Sequence, residues 1–323
     1  MANQLLFFLE GTDIHFPNIG IHLHNIASKI TVFGFDIAFY GIVIALAMIV
    51  GYGVTEWTAR RTGQNAEYYL DFVVWAIVIS VVCARAYYVI FNWSAFSDEP
   101  LSVFNLRTGG LAIYGGVIGG VCTAFVYTRI KKLQWGLFFD TCIVGLLTGQ
   151  VIGRWGNFFN REAFGTYTDG PFAMQVDVTE VHSYFNPATS QSIVENAYAG
   201  KENIVRNILE IREHAVEIDG ATYIQVHPTF LYESVLNLIL LCGLLIYTKH
   251  KKFDGEIFLL YLFGYGVIRF FVEGLRTDQL LLFDTAIPVS QLLSAVLVVG
   301  SAAAYILLRF VRKKGKKPEL VRK

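Results

Sequence analysis

Long apolar runs, separated by short polar connections, cover most of the chain. Seven of these runs have about the length that a helix rising 1.5 Å per residue needs to cross roughly 30 Å of hydrocarbon. They are residues 31–57, 70–91, 110–127, 136–152, 229–247, 255–273 and 288–310. The pattern predicts an all-α polytopic membrane protein in which residues 31–310 form a domain of seven transmembrane helices.

Two polar stretches and a basic tail flank or interrupt the spans. Residues 1–30 have the pattern of an amphipathic or extended segment lying at the membrane interface. Residues 166–228, between the fourth and fifth spans, alternate with period two at 172–178 and 221–226, around a helix-compatible stretch at 187–214. Since such alternation is typical of strands, we expect 166–228 to form a small α+β cap and 311–323 to form the tail.

Composition and charge agree with the membrane class and suggest an orientation. Hydrophobic residues make up 54% of the 323 residues and charged residues only 16%, whereas soluble proteins carry about 25% charged residues. Sixteen of the 26 basic residues lie in the tail and in the connections after the first, third and fifth spans. Because basic residues concentrate on the cytoplasmic side, we expect the N-terminus outside, the C-terminus in the cytoplasm and the cap extracytoplasmic.

Neither metal nor cofactor chemistry is predicted. His15, His22 and His24 lie near one another in sequence, but no acidic or thiol partner follows at a fixed spacing, so we interpret them as interfacial polar residues. The cysteines lie within apolar runs at unrelated spacings, which favours small apolar fillers over ligands or disulfides: Cys83, Cys122, Cys142 and Cys242. We likewise predict no nucleic-acid partner.

Arginines within or beside the apolar spans are the strongest functional signal. Arg85 lies in the middle of the second span, where it must face the bundle interior or an aqueous cavity. Others fall near the predicted outer ends of spans: Arg154, Arg161, Arg269 and Arg276. Guanidinium groups match phosphate oxygens in paired hydrogen bonds that strengthen as water is excluded. The cluster therefore predicts an anionic ligand, and a phospholipid is the obvious candidate.

One segment carries a family resemblance. Residues 153–165, Gly-Arg-Trp-Gly-Asn-Phe-Phe-Asn-Arg-Glu-Ala-Phe-Gly, closely resemble the signature of the bacterial prolipoprotein diacylglyceryl transferases. The resemblance extends to further short motifs: Tyr40-Gly41, Gly109-Gly110-Leu111-Ala112-Ile113-Tyr114-Gly115-Gly116, His227-Pro228-Thr229, Leu231-Tyr232-Glu233, and Tyr265-Gly266 with Arg269, Glu273 and Arg276. It covers nearly the whole chain, and the family's architecture of seven spans matches as well.

The resemblance implies a reaction at the outer face of the bacterial inner membrane. The diacylglyceryl group of phosphatidylglycerol passes to the thiol of the lipobox cysteine in a preprolipoprotein, which yields a thioether and glycerol 1-phosphate. By the same resemblance, Arg154 and Arg269 hold the phosphate as it becomes the leaving group. The remaining implied site residues shape, line, brace or gate the substrate site: Tyr40, Tyr114, Asn157, Glu162, Gly165, His227, Glu273 and Arg276.

Tyr114 departs from the family pattern. Many members carry a histidine there that is regarded as a candidate base, whereas a tyrosine, whose unperturbed pKa is about 10, is a poor base at neutral pH. We therefore expect arginine electrostatics to carry most of the catalysis, and the base that deprotonates the thiol stays open.

Two other functions fit parts of the pattern. A transporter or channel for an anionic lipid or solute would also place polar residues inside a seven-span bundle. The charges cluster at one face, however, and no pair of broken helices recurs as an inverted repeat. A purely structural scaffold would leave the arginines without a role.

Overall fold

The computed structural model describes residues 7–8, 11–97, 99–105, 109–282, 285 and 287–315. Its longest helices are α1 (Phe39–Arg61), α2 (Glu67–Phe91), α3 (Ile113–Ile130), α4 (Trp135–Asn160), α7 (Thr229–Tyr247), α8 (Glu256–Leu275) and α9 (Val289–Gly315). These seven helices are long and apolar enough to cross a membrane. The predicted fold class is confirmed, and the chain is a multi-pass membrane protein. Of the predicted basic tail, residues 316–323 lie outside the described residues.

Two helix boundaries differ from the predicted spans. Residues 31–38 are not helical, because an apolar hairpin precedes α1 and hydropathy alone cannot separate the two. Phe33 and Gly34, at φ 51° and 82°, form the tight turn of this hairpin. At the other boundary, α4 continues to Asn160, about two turns beyond the predicted end at residue 152. Arg154 and Asn157 therefore lie on the helix itself, in its last turns.

The strands form two antiparallel sheets. In the smaller sheet, with order β1-β4-β5, the strands are β1 (Phe7–Phe8), β4 (Lys29–Val32) and β5 (Phe35–Ala38). The larger sheet contains β2 (Gly11–Phe16), β3 (Ile21–Ala27), β6 (Met174–Asp177), β7 (Val216–Ile218) and β8 (Ala221–Val226). Its order is β3-β2-β6-β8-β7. Both strands predicted by alternation, β6 and β8, are present and pair with each other.

The N-terminal segment forms part of the cap, because two of its strands belong to the larger sheet. β2 pairs with β6 through Ile14 and Val176, so the segment expected at the interface supplies two strands of the cap sheet. Two short helices, α5 (Gln191–Ala197) and α6 (Glu202–Glu213), lie within the stretch predicted to be helix-compatible. Apolar side chains of sheet and helices form one buried core: among them Ile14, Val176, Ile204, Ile208, Ile211 and Ile224.

The histidines near the N-terminus follow this strand pairing. Nδ1 of His15 lies 2.9 Å from Nδ1 of His22, its partner in the β2–β3 ladder. His24 instead contacts the carboxylate of Asp13 at 2.7 Å. The three imidazoles thus occupy two separate contacts on one strand pair.

The described residues divide into two compact units. The first takes residues within 1–50, 146–250 and 259–323, and so contains both sheets, α7, α9 and parts of α1, α4 and α8. The second takes residues 51–145 and 251–258, and contains α2, α3 and the other parts of α1, α4 and α8. Most of the predicted site residues belong to the first unit, and Tyr114 belongs to the second.

Arg85 organises the connection between α2 and α3 within the second unit. Its side chain is buried, and its three nitrogens donate to five backbone carbonyl groups: those of Ser102, Val103, Asn105, Gly109 and Gly110. The guanidinium also lies over the ring of Phe96, 5.0 Å from its centre. Carbonyl dipoles and an aromatic face therefore stabilise the charge that the sequence expects to point away from lipid.

Replacing Arg85 by Met should destabilise this unit by about 2–4 kcal/mol, because buried carbonyl groups lose their donor. The measurement is thermal unfolding in detergent, combined with protease cleavage between residues 99 and 110. Arg129→Met is the matched control, since Arg129 is exposed and, among the described residues, its side chain contacts only the ring of Trp135. Equal stability of the two variants would contradict the assigned role of Arg85.

Candidate active site

A buried carboxylate on α7 joins arginines from two other helices. The side chain of Glu233 is only 1% exposed, and its Oε2 accepts a hydrogen bond of 3.0 Å from Nη1 of Arg269 on α8. Nη2 of Arg154 on α4 lies 2.7 Å from the other oxygen, Oε1. This second contact is an ion pair without the alignment of a hydrogen bond. Three helices of the first unit thus meet at one carboxylate.

Arg269 also binds a second carboxylate on its own helix. Its Nη2 donates to Oε2 of Glu273 at 2.5 Å, across the i,i+4 spacing that the sequence indicates. Nε of Arg276 lies 4.0 Å from the same oxygen, while the closer partner of Arg276 is Asp278, at 2.8 and 2.7 Å. A row of alternating charges therefore runs along the last turns of α8 and continues past its end.

The α4 side of the network reaches Glu162 through an asparagine. Nη1 of Arg154 lies 3.4 Å from Oδ1 of Asn157, one turn further along the helix, and Nδ2 of Asn157 donates to Oε1 of Glu162 at 2.9 Å. Tyr40 packs against the same helix. A Cβ atom added at Gly156 would lie 2.9 Å from Cδ2 of Tyr40, so the glycine permits the close approach of α1 and α4.

Gly165 lies where three segments meet. Its N–H donates to the carbonyl of His227 at 2.9 Å, and it forms an isolated β-bridge with Arg276. An added Cβ would lie 2.7 Å from Cβ of His227 and 2.9 Å from the carbonyl oxygen of Leu275. The absence of a side chain therefore allows the chain after α4 to pass between the start of α7 and the end of α8.

His227 is half-buried just before the start of α7. Its Nδ1 lies 3.2 Å from the hydroxyl of Tyr232, and burial lowers the pKa of the imidazole below its ordinary value. A neutral imidazole can exchange a hydrogen bond with a phenol or a ligand but adds no positive charge to the site.

Arg161 does not join the arginine cluster, contrary to the expectation from sequence. Its guanidinium donates to the carbonyls of Phe159 and Ile26, the latter on β3. The residue follows the end of α4 with φ 49°, which turns its side chain toward the cap sheet. Burial lowers its pKa from the ordinary arginine value. The network of the first unit therefore contains Arg154, Arg269 and Arg276.

Tyr114 lies in the first turn of α3, in the second unit. The contacts described above join residues of the first unit only. A role for Tyr114 in substrate binding stays a prediction.

Glu233 is the central residue that the sequence pattern does not single out. It appears there only as the last letter of Leu231-Tyr232-Glu233, although a carboxylate in the second turn of an apolar span is itself a signal. Further polar side chains of α4 and α8 contact one another. The amide of Gln150 on α4 donates to the phenol of Tyr261 on α8 at 3.0 Å, and the ring of Tyr261 stacks on that of Tyr265. The phenol of Tyr265 interacts in turn with Arg154.

Replacing Gly165 by Ala should lower stability by about 1–3 kcal/mol, because the new methyl group overlaps His227 and the carbonyl of Leu275. The expected result is a lower melting temperature in detergent. Gly243→Ala is the control, since that glycine is helical and an added Cβ would meet nothing within 4 Å. A Gly165→Ala protein as stable as Gly243→Ala would show that the close approach is not required.

Comparisons with known proteins identify the family of the chain. A family model described as prolipoprotein diacylglyceryl transferase matches residues 27–307. The phosphatidylglycerol–prolipoprotein diacylglyceryl transferase of Clostridioides difficile strain 630 is 36% identical over 278 residues, which cover 86% of this chain and 93% of the relative. The enzyme of the same name from Finegoldia magna is 38% identical over 277 residues, covering 85% and 93%. One from Shouchella clausii is 38% identical over 273 residues, covering 84% and 86%. This chain therefore belongs to the prolipoprotein diacylglyceryl transferase family of transferases.

Proposed function

We propose that this protein transfers the diacylglyceryl group of phosphatidylglycerol to the thiol of the lipobox cysteine of a preprolipoprotein. The sulfur forms a thioether with the glycerol carbon, the carbon–oxygen bond to phosphate breaks, and glycerol 1-phosphate leaves. Membership of the family and the names of its relatives support both substrates. The transporter and scaffold alternatives have no comparable support.

The convergence of Arg154 and Arg269 on Glu233 is the observation that carries the proposal. The two guanidinium groups come from α4 and α8, and a single buried carboxylate holds both within reach of one anion. A phosphate oxygen that becomes a leaving group gains negative charge, and preorganised guanidinium groups stabilise that charge most strongly where water is excluded. Arg154 and Arg269 therefore hold the phosphate and stabilise its departure.

The neighbouring residues shape this phosphate site. Asn157 and Glu162, hydrogen-bonded to each other beside Arg154, offer amide and carboxylate groups to the glycerol headgroup. Tyr40 lines the site against α4.

The α8 side of the site is supported by a second group of residues. Glu273 and Arg276 brace Arg269 and gate the end of α8. Gly165 and His227 form the adjoining wall, with the neutral imidazole available to the substrate.

The proposed location is the bacterial cytoplasmic membrane, with the N-terminus outside, the C-terminus in the cytoplasm and the site near the outer face. The last turn of α1 carries Arg60 and Arg61, and the connection after α7 carries Lys249, Lys251 and Lys252. Basic residues at these ends favour the cytoplasmic side. At the opposite end of α1, the N–H of Phe39 donates to the carbonyl of Ser28, directly after strand β3 of the cap sheet, which supports an outer position for the cap and the site.

Arg154→Ala and Arg269→Ala should each lower the rate of transfer by about 100- to 1,000-fold, since each removes a donor to the leaving phosphate. The assay incubates purified protein with phosphatidylglycerol vesicles and a lipobox peptide, and measures the gain of a diacylglyceryl group by mass spectrometry.

Arg206→Ala is the control for this assay, because Arg206 lies on α6 and contacts only Asn203 among the described hydrogen bonds. Melting temperatures separate loss of folding from loss of chemistry. Absence of product with wild type, or an undiminished rate with both site variants, would refute the proposed function.

Tyr114→Phe should retain at least about one tenth of the wild-type rate, because a phenol is a poor proton acceptor at neutral pH. The same mass assay measures it, with lipid binding and protein yield checked in parallel. Loss of transfer with normal yield and lipid binding would assign Tyr114 a proton-transfer role.

A further inference from the structure

Among the described residues, each arginine of the ion-pair network already contacts a carboxylate. Arg154 and Arg269 contact Glu233, Arg269 also contacts Glu273, and Arg276 contacts Asp278. Asn157 links Arg154 to the exposed carboxylate of Glu162. A phosphodiester adds one more negative charge in a region where water is scarce. An arginine that turns from its carboxylate to a phosphate leaves that carboxylate in need of another partner.

Of the two arginines that contact Glu233, Arg154 is bound less firmly. Its contact with Glu233 is unaligned, whereas Arg269 makes aligned hydrogen bonds to Glu233 and to Glu273. The side chain of Arg154 is also more exposed, at 21% against 14% for Arg269. Arg154 is thus the one expected to turn toward an incoming phosphate, while Arg269 keeps its carboxylates and can extend toward the same anion.

Oε1 of Glu233 is the oxygen that Arg154 would leave uncovered. It is buried and accepts no aligned hydrogen bond from the described residues, and the whole side chain is 1% exposed. A carboxylate oxygen in such surroundings is costly without a cation or a proton. Since no other arginine of the network contacts Oε1, a proton is the replacement that the site can accept.

We propose that Glu233 is the catalytic residue that accepts the thiol proton, with phosphate binding to Arg154 as the event that uncovers it. The proton of the cysteine thiol passes to Oε1, and the sulfur electron pair forms the bond to the glycerol carbon. The carbon–oxygen bond breaks, and its electrons leave with the phosphate as glycerol 1-phosphate. When the product departs, Arg154 returns to Oε1 and the proton passes to water.

This inference rests on the proposed transferase function and supplies the base that Tyr114 cannot provide. It also couples two steps that must coincide. The thiolate, which is the nucleophile, forms only once the leaving group is bound by arginine. Free thiol is otherwise mostly protonated at neutral pH.

The test compares cysteine with selenocysteine in the same lipobox peptide, because a selenol is ionised at neutral pH and needs no base. Full-length wild type, Glu233→Gln, Glu233→Asp and Glu213→Gln are assayed in phosphatidylglycerol vesicles under reducing conditions. Glu213, on the exposed side of α6, provides the matched control for loss of a carboxylate. The quantity compared is the ratio of the selenocysteine rate to the cysteine rate, which does not depend on the fraction of folded protein.

Glu233→Gln should lower the cysteine rate by about 100-fold or more and raise the selenocysteine-to-cysteine ratio at least about tenfold. Glu233→Asp, which keeps a proton acceptor, and Glu213→Gln should keep the wild-type ratio. An unchanged ratio in Glu233→Gln would overturn the inference and leave Glu233 as a holder of the two arginines. If wild type forms no product with either peptide, the proposed function itself fails.

Discussion

The carboxylate of Glu233, buried among apolar helices, is the constraint on which the site depends. Isolated charges of either sign are costly in this environment, so Glu233 needs guanidinium partners as much as Arg154 and Arg269 need a carboxylate. The requirement fixes which faces of α4, α7 and α8 meet. It also keeps the two arginines beside one carboxylate, where we propose that they meet the phosphate.

The backbone around this network is built for close approach. Gly156 lets Tyr40 lie against α4, and Gly165 lets the chain pass between the ends of α7 and α8. In the second unit, the buried charge of Arg85 is stabilised by backbone carbonyls instead of carboxylates. Arginines with little exposure to solvent therefore have different partners in the two units: Arg154 and Arg269 meet a carboxylate, whereas Arg85 donates to the carbonyls of a connection.

Much of the fold can be predicted from the sequence, because hydropathy and period-two alternation reflect the local environment of each segment. The seven spans, the strands β6 and β8 and the Arg269–Glu273 pair are all local patterns. The hairpin before α1 is hidden because its apolar strands run into an apolar helix. The central position of Glu233 depends on contacts among three helices that are distant in sequence. The orientation of Arg161 toward the cap sheet depends on a single positive φ. Neither leaves a periodic signal.

The most direct measurement of the central claim is a structure of the full-length protein in a lipid nanodisc with an uncleavable phosphatidylglycerol analogue. We expect phosphate oxygens within about 3 Å of guanidinium nitrogens of both Arg154 and Arg269. We also expect Arg154 to have moved away from Oε1 of Glu233. A phosphate bound elsewhere, with the contact between Arg154 and Glu233 intact, would contradict it.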